Sequence, residues 1–561
     1  MGNDTKFLKR GDGKNILDVI NTKVIDYKPS YKIKNLSKFC TFIKSLDKST
    51  EIFIIGDYDC DGVTSTSILK ETLVSIGFRN VQYRIPKRLS EGYGLNLSII
   101  DEINRKKKTE KPVLITIDNG IAAIEAIKKA KEDGFTVIII DHHQPKDVLP
   151  NADLIIDPHI ENESTFKYYC AAGLAYKIAK ALSTEPKVVN WALSLAAIAT
   201  IADVMPLVEE NHKIVKEGMQ IMTTKEGRNA GLYFLLKEAG AEDFINEKTI
   251  GFKIAPMLNA IGRLEDDGGK KVVELLCCDK NNIEKAKTLV KEISEKNELR
   301  KDLSKNGTAL AISLIEEQYK NDKILVLYLK GIPLGILGII SGKITEIYKR
   351  PSIVLSDTKD GILKGSGRSY SDFDIFQLLM KNKSLFVGFG GHPGACGCSI
   401  KKEDFEKLHQ VLNKDVEYEI PEQNIYYYDI VVDVEKDDIE AILEIKNKYA
   451  PYGEGNPEPI IYIKNFYACG QNGKQHYSVM GKNAEHLKVF GLNFDIVAFD
   501  YFETYKNLGK PKKLEAVGCF NENFFGGNKS LQFEAASLRK NIETEKKKSS
   551  MQNLLDALDN L

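Results

Sequence analysis

The chain has no net charge: 79 Lys and Arg balance 79 Asp and Glu over 561 residues. Any grip on a polyanion must come from local basic patches, not from the surface as a whole. No apolar run reaches membrane-spanning length, and the start, MGNDTKFLKR, has no apolar signal-peptide core. The longest apolar run, around Trp191 to Ala202, reads as a buried helix. Paired cysteine spacing is missing too. Of the nine cysteines, Cys277 and Cys278 are adjacent and Cys396 and Cys398 are one residue apart; neither pattern has zinc-ligand spacing. The expectation is nine reduced, mostly buried thiols in a cytoplasmic protein. Arginine is scarce beside lysine, so each isolated Arg stands out. What is present, 43% hydrophobic and 28% charged residues, is the composition of an ordinary globular chain. The length suggests roughly three or four domains.

One stretch concentrates chemistry. Ile52 to Ser65 reads IFIIGDYDCDGVTS. An apolar run, the mark of a buried parallel strand, meets Asp57, Asp59 and Asp61, and a helical pattern starts after Gly62. Carboxylates this close repel one another unless a cation neutralises them. The sequence therefore predicts a site for a hard divalent ion, Mn²⁺ or Mg²⁺. An exposed acidic turn is the plainer reading of this stretch taken alone.

The surrounding pattern alternates. Strands are predicted at 52–56, Val81–Ile85, Val113–Ile117, Phe135–Ile140 and Leu154–Ile156, with helices at 63–76, 95–106 and 121–133. This spacing implies a parallel sheet covered on both faces, with right-handed crossovers. The strand-to-helix turns then collect at one edge. Strand 113–117 ends in Asp118-Asn119-Gly120, strand 135–140 in Asp141-His142-His143, and the helix 189–202 in Asp203. Several Asp carboxylates with one or two His are what a two-metal hydrolase of phosphodiesters needs. An adjacent His pair alone is as often a satisfied polar turn; its register with the acids tips the reading.

These residues carry a resemblance. Asp57-Tyr58-Asp59-Cys60-Asp61-Gly62, Asp118-Asn119-Gly120, Asp141-His142-His143 and Ala202-Asp203 resemble the DHH phosphoesterase superfamily. Within it the chain is similar to the RecJ family of single-strand-specific 5′→3′ DNA exonucleases. Glu91-Gly92-Tyr93-Gly94-Leu95, Asn259-Ala260-Ile261-Gly262-Arg263-Leu264, Gly365-Ser366-Gly367-Arg368-Ser369, Gly390-Gly391-His392 and Tyr452-Gly453-Glu454-Gly455-Asn456-Pro457-Glu458-Pro459 extend the match from about 50 to about 535. The resemblance implies that Asp59, Asp61, Asp118, His142 and Asp203 ligate a pair of Mn²⁺ or Mg²⁺ ions, with Asp118 as bridge. It implies that His143 contacts the scissile phosphate or the attacking water. Asp57 and Asp141 complete the catalytic set as ligands or as groups orienting them. Arg88 and Arg263 would bind substrate phosphate, since a guanidinium fork pairs bidentately with its oxygens. A surface salt bridge is the plain alternative for Arg88.

The expected architecture is α/β. An N-terminal helical extension (1–48) precedes a DHH catalytic domain (49–210) and a helical region (211–320) with a long connecting helix. A smaller α/β DHH-associated domain (321–415) follows. There, exposed glycine N–H groups with Ser366, Arg368, Ser369, Gly390, Gly391 and His392 would form a phosphate clamp, a simple turn being the plain alternative for Gly390-Gly391-His392, and the resemblance adds Asn259 to the substrate-binding set. Short β-like runs over 420–540, with interleaved aromatics and lysines such as Phe466, Tyr467, Phe524, Phe525 and Lys529, suggest an OB-fold barrel that stacks bases. Core aromatics are the bland alternative there. Residues 541–561 read as a linker and a short amphipathic tail.

Three positions depart from the family pattern. Ile55 stands where many members place a metal-binding His, Ile332-Pro333 where Trp-His is common, and Cys396 where a small apolar residue is usual. The sequence-level expectation is a monomeric 5′→3′ exonuclease that releases mononucleotides from single-stranded DNA in repair and recombination. Its expected partners are single-strand-binding protein or a helicase. A phosphodiesterase of short oligonucleotides or cyclic dinucleotides, and a silent repair scaffold, are the competing readings.

Overall fold

The structure is a computed structural model describing residues 6–10 and 32–541, apart from 93, 161–163, 359, 422–424, 471–474, 482 and 526–527. The chain divides into two compact units: Lys28–Pro206 with Glu210–Pro421, and Met1–Tyr27 with Leu207–Glu209 and Glu422–Leu561.

In the first unit a five-stranded parallel sheet holds β2 (Glu51–Ile55), β3 (Asn80–Arg84), β4 (Val113–Ile117), β5 (Thr136–Ile140) and β6 (Leu154–Ile156) in the order β3-β2-β4-β5-β6. Every residue of β2 and β4 is buried, as expected of Ile- and Val-rich strands covered on both faces. Burying each such side chain is worth about 1.5–3 kcal/mol. The register pairs Ile52 with Val113 and Ile55 with Thr116. From β2 the chain steps outward to β3, then crosses back to β4. The strand order therefore reverses between β2 and β4, and the crevice beyond their carboxyl ends is where such sheets bind ligands.

The helix after β2 begins earlier than its apolar period suggests, at Cys60 rather than Val63, and runs to Ser75. The cause is a cap: the Asp59 side chain accepts the Gly62 N–H at 3.0 Å. Asp61 thereby lies in the first helical turn. Past the helix Pro186–Ala202, short helices lead to one of 32 residues, Ile283–Leu314. It reaches a mixed sheet made of β7 (Leu325–Tyr328), β8 (Ser352–Asp357), β9 (Ile362–Arg368), β10 (Gly388–His392) and β11 (Ala395–Lys401), in the order β10-β11-β9-β8-β7. Cys396 is buried in the core of this sheet with Ile353, Ile375 and Leu363, a packing role.

The second unit is strand-rich. A seven-stranded sheet spans β13 (Ile430–Asp433), β14 (Ile461–Tyr467), β15 (Tyr477–Met480), β16 (His486–Val489), β17 (Asp495–Ala498), β18 (Lys513–Phe525) and β19 (Asn528–Lys540), in the order β13-β14-β18-β19-β17-β16-β15. Its core contains Phe466, Phe520, Phe533 and Tyr505. Phe466 is thus a core aromatic, while Tyr467 is exposed. The side chains of Phe524, Phe525 and Lys529 lie outside the described part, as do Tyr93 and the tail beyond 541.

The N-terminal extension is helical only at Leu36–Ser45 among its described residues. Lys6–Lys9 is instead a strand, β1, paired in parallel with β12 (Ile425–Tyr428). Phe7 decides this: its ring sits 5.3 Å from that of Tyr462, edge to face. Among the described residues no helix is long and apolar enough to cross a membrane. None of the nine cysteines forms a disulfide.

Candidate metal and phosphate site

The acids and imidazoles that the sequence placed at strand ends converge at the β2/β4 crevice. Three overlapping groups have ligand atoms lying within 4.8 Å of one another: Asp57, Asp59 and Asp118; Asp118, His142 and His143; Asp61, His142 and Asp203. Asp118 and His142 each belong to two groups. His142 Nε2 lies 3.1 Å from Asp118 Oδ1, 3.6 Å from Asp61 Oδ2 and 3.7 Å from Asp203 Oδ2.

Local structure explains each placement. Asp118 leaves β4 in the left-handed region, φ 63°, which Asp tolerates better than most residues. Beside it, Asn119 Nδ2 donates to the Ile55 carbonyl at 3.1 Å and the Ile117 carbonyl at 2.9 Å, tying the ends of β2 and β4 together. The side chain of Ile55 is fully buried, so it contributes to the site only through this carbonyl. Asp61 accepts the N–H groups of Ala171 and Ala172 at 2.7 and 2.8 Å, the first turn of the helix Ala171–Leu182. Asp203 caps the carboxyl end of Pro186–Ala202.

The electrostatics are those of crowded, desolvated acid. Burial and then the Asp59 charge push Asp57 well above the usual carboxylate range, and neither of its oxygens has a hydrogen-bond partner. Burial and then Asp61 raise Asp118 well above that range. Asp203 is pushed up to about 8 by burial and by Asp61. His142 is lowered, chiefly by burial.

Asp141 differs from this set. It lies in none of the three groups. Its oxygens accept the N–H groups of Ile121, His142 and His143 and the ring Nδ1–H of His143. Burial pushes it up, but the His143 hydrogen bond and charge outweigh that and hold it below its ordinary value. His143 is the reciprocal case: burial opposes its protonation, yet the Asp141 bond raises it to about 9. Cys60 and Cys170, buried beside the acids, are pushed well up by burial, which argues against thiolate chemistry.

A basic region adjoins the acids. Arg88 stacks over the Tyr58 ring with its guanidinium carbon 4.6 Å from the centroid. Arg263, near the end of the helix Ala255–Leu264, donates to the Gly335 carbonyl at 3.2 Å. Arg368 Nη1 donates to Ser366 Oγ at 3.0 Å. The glycines that punctuate the next helix start are explained here. A Cβ at Gly335 would meet the Arg263 carbonyl at 2.1 Å, and one at Gly338 would meet Arg368 Nη2 at 2.6 Å. Burial and then the neighbouring Arg88 lower Arg263 to about 10. Among the described residues none of these three arginines forms an ion pair, and Arg88 lies over the Tyr58 ring instead.

The glycine motifs of the smaller domain align by register. His392 pairs with Ala395 and Ala395 with Arg368; Gly390 pairs with Gly397 and Gly397 with Ser366. Ser369 is committed locally: its hydroxyl donates to the Phe373 carbonyl and its N–H to the Gly394 carbonyl. Asn259 Oδ1 is buried without a partner. Sequence reasoning missed Asp157, which follows β6 and is raised to about 7 by burial, with Asp141 among its neighbouring charges. The signal was available, since Ile155-Ile156-Asp157-Pro158-His159 repeats the strand-then-acid-then-His pattern of Ile140-Asp141-His142.

Comparison with known proteins agrees with this geometry. The model of the DHH family, N-terminal domain, matches residues 51–201, that of the DHHA1 domain 321–417, and that of the RecJ OB domain 428–537. The single-stranded-DNA-specific exonuclease RecJ of Bacillus subtilis (strain 168) is 33% identical over 524 residues, covering 91% of this chain. The chain spans 64% of that protein's length. Its counterpart in Escherichia coli (strain K12) is 30% identical over 513 residues, with 86% of each chain covered. A crystal structure of exonuclease RecJ bound to manganese is 28% identical, with TM-score 0.59, covering 68% of this chain and 94% of that one. RecJ from Thermus thermophilus, in complex with Mn²⁺, shares the fold at TM-score 0.75 and 23% identity, over 96% of this chain and 79% of that one.

Proposed function

The chain belongs to the RecJ family, and from that premise we propose that it hydrolyses single-stranded DNA from the 5′ end to mononucleotides, using two Mn²⁺ or Mg²⁺ ions. The observation that carries the reading is the convergence of five carboxylates and two imidazoles at the β2/β4 crevice, next to Arg88 and Arg263, whose charges couple to Asp57 and Asp59.

The donor set fits hard divalent ions. Asp57 has two buried, unpartnered oxygens, and Asp118 is shared between groups. Asp57, Asp59, Asp61, Asp118, His142 and Asp203 would hold the ions. When bound, such ions polarise the phosphodiester and lower the pKa of water. The chain's own groups do the rest. His143, protonated through Asp141, donates to a non-bridging oxygen of the scissile phosphate. Asp141 fixes both imidazoles. Arg88, Arg263 and Arg368 grip the terminal phosphate, with Ser366 orienting Arg368. Ser369 and Gly390 to His392 enter the reading as the hairpin frame of that grip.

The RecJ OB match over 428–537 favours long strands over cyclic dinucleotides as substrates. We place the protein in the cytoplasm, where unpaired thiols stay reduced, working as a monomer on strands exposed by a helicase or coated by single-strand-binding protein. The test is digestion of single-stranded DNA labelled at either end, in Mn²⁺, with blunt duplex as control. Early release of the 5′ label with the duplex spared is expected. An intact long strand with dinucleotides cleaved would overturn the reading.

A further inference from the structure

A cavity of about 690 Å³ lies in the first unit and shares no residue with the metal groups. Small-molecule sites commonly have volumes of roughly 300–1,000 Å³. Its wall includes Glu71, on the helix Cys60–Ser75, and Trp191, on the helix Pro186–Ala202. The first of these helices carries Asp61 in its first turn, and the second ends at Asp203. At a rise of about 1.5 Å per helical residue, the cavity lies roughly 15–18 Å from the metal groups.

Three helix starts meet in this wall. Lys187 and Val188 open the helix Pro186–Ala202, Asn229 and Ala230 open the helix Ala230–Glu238, and Ile283 opens the helix Ile283–Leu314. Neither Glu185 nor Asn282 caps its helix with its side chain. Helix amino ends present N–H groups and partial positive charge, so three at one cavity favour an anion. Close packing holds them together. A Cβ at Gly227 would meet Ser194 Oγ at 2.1 Å, and one at Gly231 would meet the Leu275 carbonyl at 1.8 Å. The Gly231 N–H donates to the Cys278 carbonyl at 3.1 Å. Arg228, next to Gly227, is thereby held beside the helix that carries Trp191.

Two donors of the lining residues have no acceptor. Trp191 is 5% exposed, and its indole Nε1–H is buried without a hydrogen-bond partner. Arg228 Nε donates to the Met222 carbonyl and Nη2 to the Glu242 carbonyl, which leaves Nη1 buried and unpartnered. Buried donors are rarely left unmatched, and what these two lack is an acceptor. The charges lean the same way. Among the described residues Lys187, Lys225, Arg228 and Lys280 form no ion pair, and all four line the cavity. Of the lining carboxylates, Glu71 pairs with Lys70 at 2.5 Å and Asp279 accepts from Asn281 and Asn282, so only Glu226 is set against four cations. The rest of the wall is largely apolar, with the Tyr233 and Phe234 rings 5.1 Å apart, edge to face.

We propose that this cavity binds a small anion bearing a flat ring, of the class of a nucleoside monophosphate. The phosphate takes the helix starts, Arg228 and the lysines; the ring lies against Trp191, Tyr233 and Phe234, where aromatic faces suit a base. The site is separate from the cleavage site and is read by binding, so it stands independently of the exonuclease reading.

Trp191 is the chain's single tryptophan, so tryptophan fluorescence reports on this cavity alone. The full chain is titrated in EDTA with dAMP, deoxyadenosine and inorganic phosphate, with calorimetry alongside. dAMP is expected to change the emission saturably and to bind about tenfold or more tighter than either fragment. K187Q combined with K280Q is expected to weaken dAMP about tenfold, as lost charge-assisted contacts do, with strand hydrolysis unchanged. R228K is expected to keep more affinity than R228Q. W191F, read by calorimetry, is expected to lose about threefold, the worth of one neutral hydrogen bond. R263Q is expected to bind dAMP as wild type does. No saturable signal by either method overturns the proposal. Inorganic phosphate binding as tightly as dAMP would make this a free-anion site, also against it. So would a loss in R263Q with none in the lysine double variant, which would place the nucleotide in the cleavage site. Displacement of dAMP by a 5′-hydroxyl oligonucleotide would make the cavity part of the strand path and overturn the proposal as well.

Discussion

His143 Nδ1 lies 2.7 Å from Asp141 Oδ1, and the same carboxylate collects the N–H groups of Ile121, His142 and His143. One residue thus sets the tautomer and charge of one imidazole and the backbone position of both. Asp141→Asn keeps an acceptor for the N–H groups but removes the charge that keeps His143 protonated. Turnover is expected to fall about 10- to 100-fold, with Mn²⁺ affinity changing much less. Steady-state kinetics beside a calorimetric Mn²⁺ titration separate the two; a parallel loss of both would make Asp141 a ligand rather than a brace.

Asp118 is the most heavily crowded acid, facing Asp61, Asp59, Asp57 and Asp141. Asp118→Asn keeps a side chain that tolerates φ 63° and removes a charge that burial disfavours. The metal-free variant is expected to melt higher than metal-free wild type, while Mn²⁺ raises its melting temperature little and hydrolysis is lost. Stability exchanged against function in this way is common at sites of crowded charge. A thermal melt with EDTA and with Mn²⁺ checks it.

The same crowding sets a pH dependence. Asp203 titrates near 8 in the folded, metal-free protein and near 3.8 unfolded. Between those values the folded state holds a proton that the unfolded state has lost, so stability falls as pH rises through this window. Asp57 and Asp118 act in the same direction, as does His143, raised from 6.5 to about 9; the lowered Asp141 and His142 oppose them. Metal ligation needs Asp57, Asp118 and Asp203 as carboxylates, so Mn²⁺ binding would compete with their protons. The rise in melting temperature on adding Mn²⁺ is therefore expected to be larger at about pH 8 than at about pH 5.5.

The sheet and its acids were legible because β4, β5 and β6 are short apolar runs that stop at an aspartate, Ile117-Asp118, Ile140-Asp141 and Ile156-Asp157. Other features depend on partners that periodicity does not reveal. Lys6 to Lys9 becomes a strand only because Ile425 to Tyr428 lies beside it, far along the chain. The helix start at Cys60 was hidden because Asp59 reads equally as ligand and cap. Arg300 sits in a Lys- and Glu-rich run that resembles a solvated face, and past the buried Leu289, Val290 and Ile293 the packed side of this helix continues through small and polar residues such as Asn297, Ser304 and Gly307. A polar helix face that packs against a neighbour has no apolar stripe to betray it.

Adjacent aromatics in β14 give the last test, because alternation along a strand sends them to opposite faces. Phe466 is buried, its ring 5.3 Å from Phe494, whereas Tyr467 is about half exposed. Phe466→Ala leaves a cavity in the core of the strand-rich unit and is expected to cost about 3–5 kcal/mol of its stability. Tyr467→Ala touches no core and is expected to leave the melt within about 0.5 kcal/mol. If Tyr467 stacks a base, its loss weakens single-strand binding by about 1–3 kcal/mol, while kcat on a dinucleotide is expected to stay unchanged, since the proposed cleavage site is built from residues of the other unit. Paired denaturant melts and fluorescence binding curves read both effects. Unchanged strand affinity in Tyr467→Ala would remove this tyrosine from the binding face and leave that role to other exposed residues of the sheet.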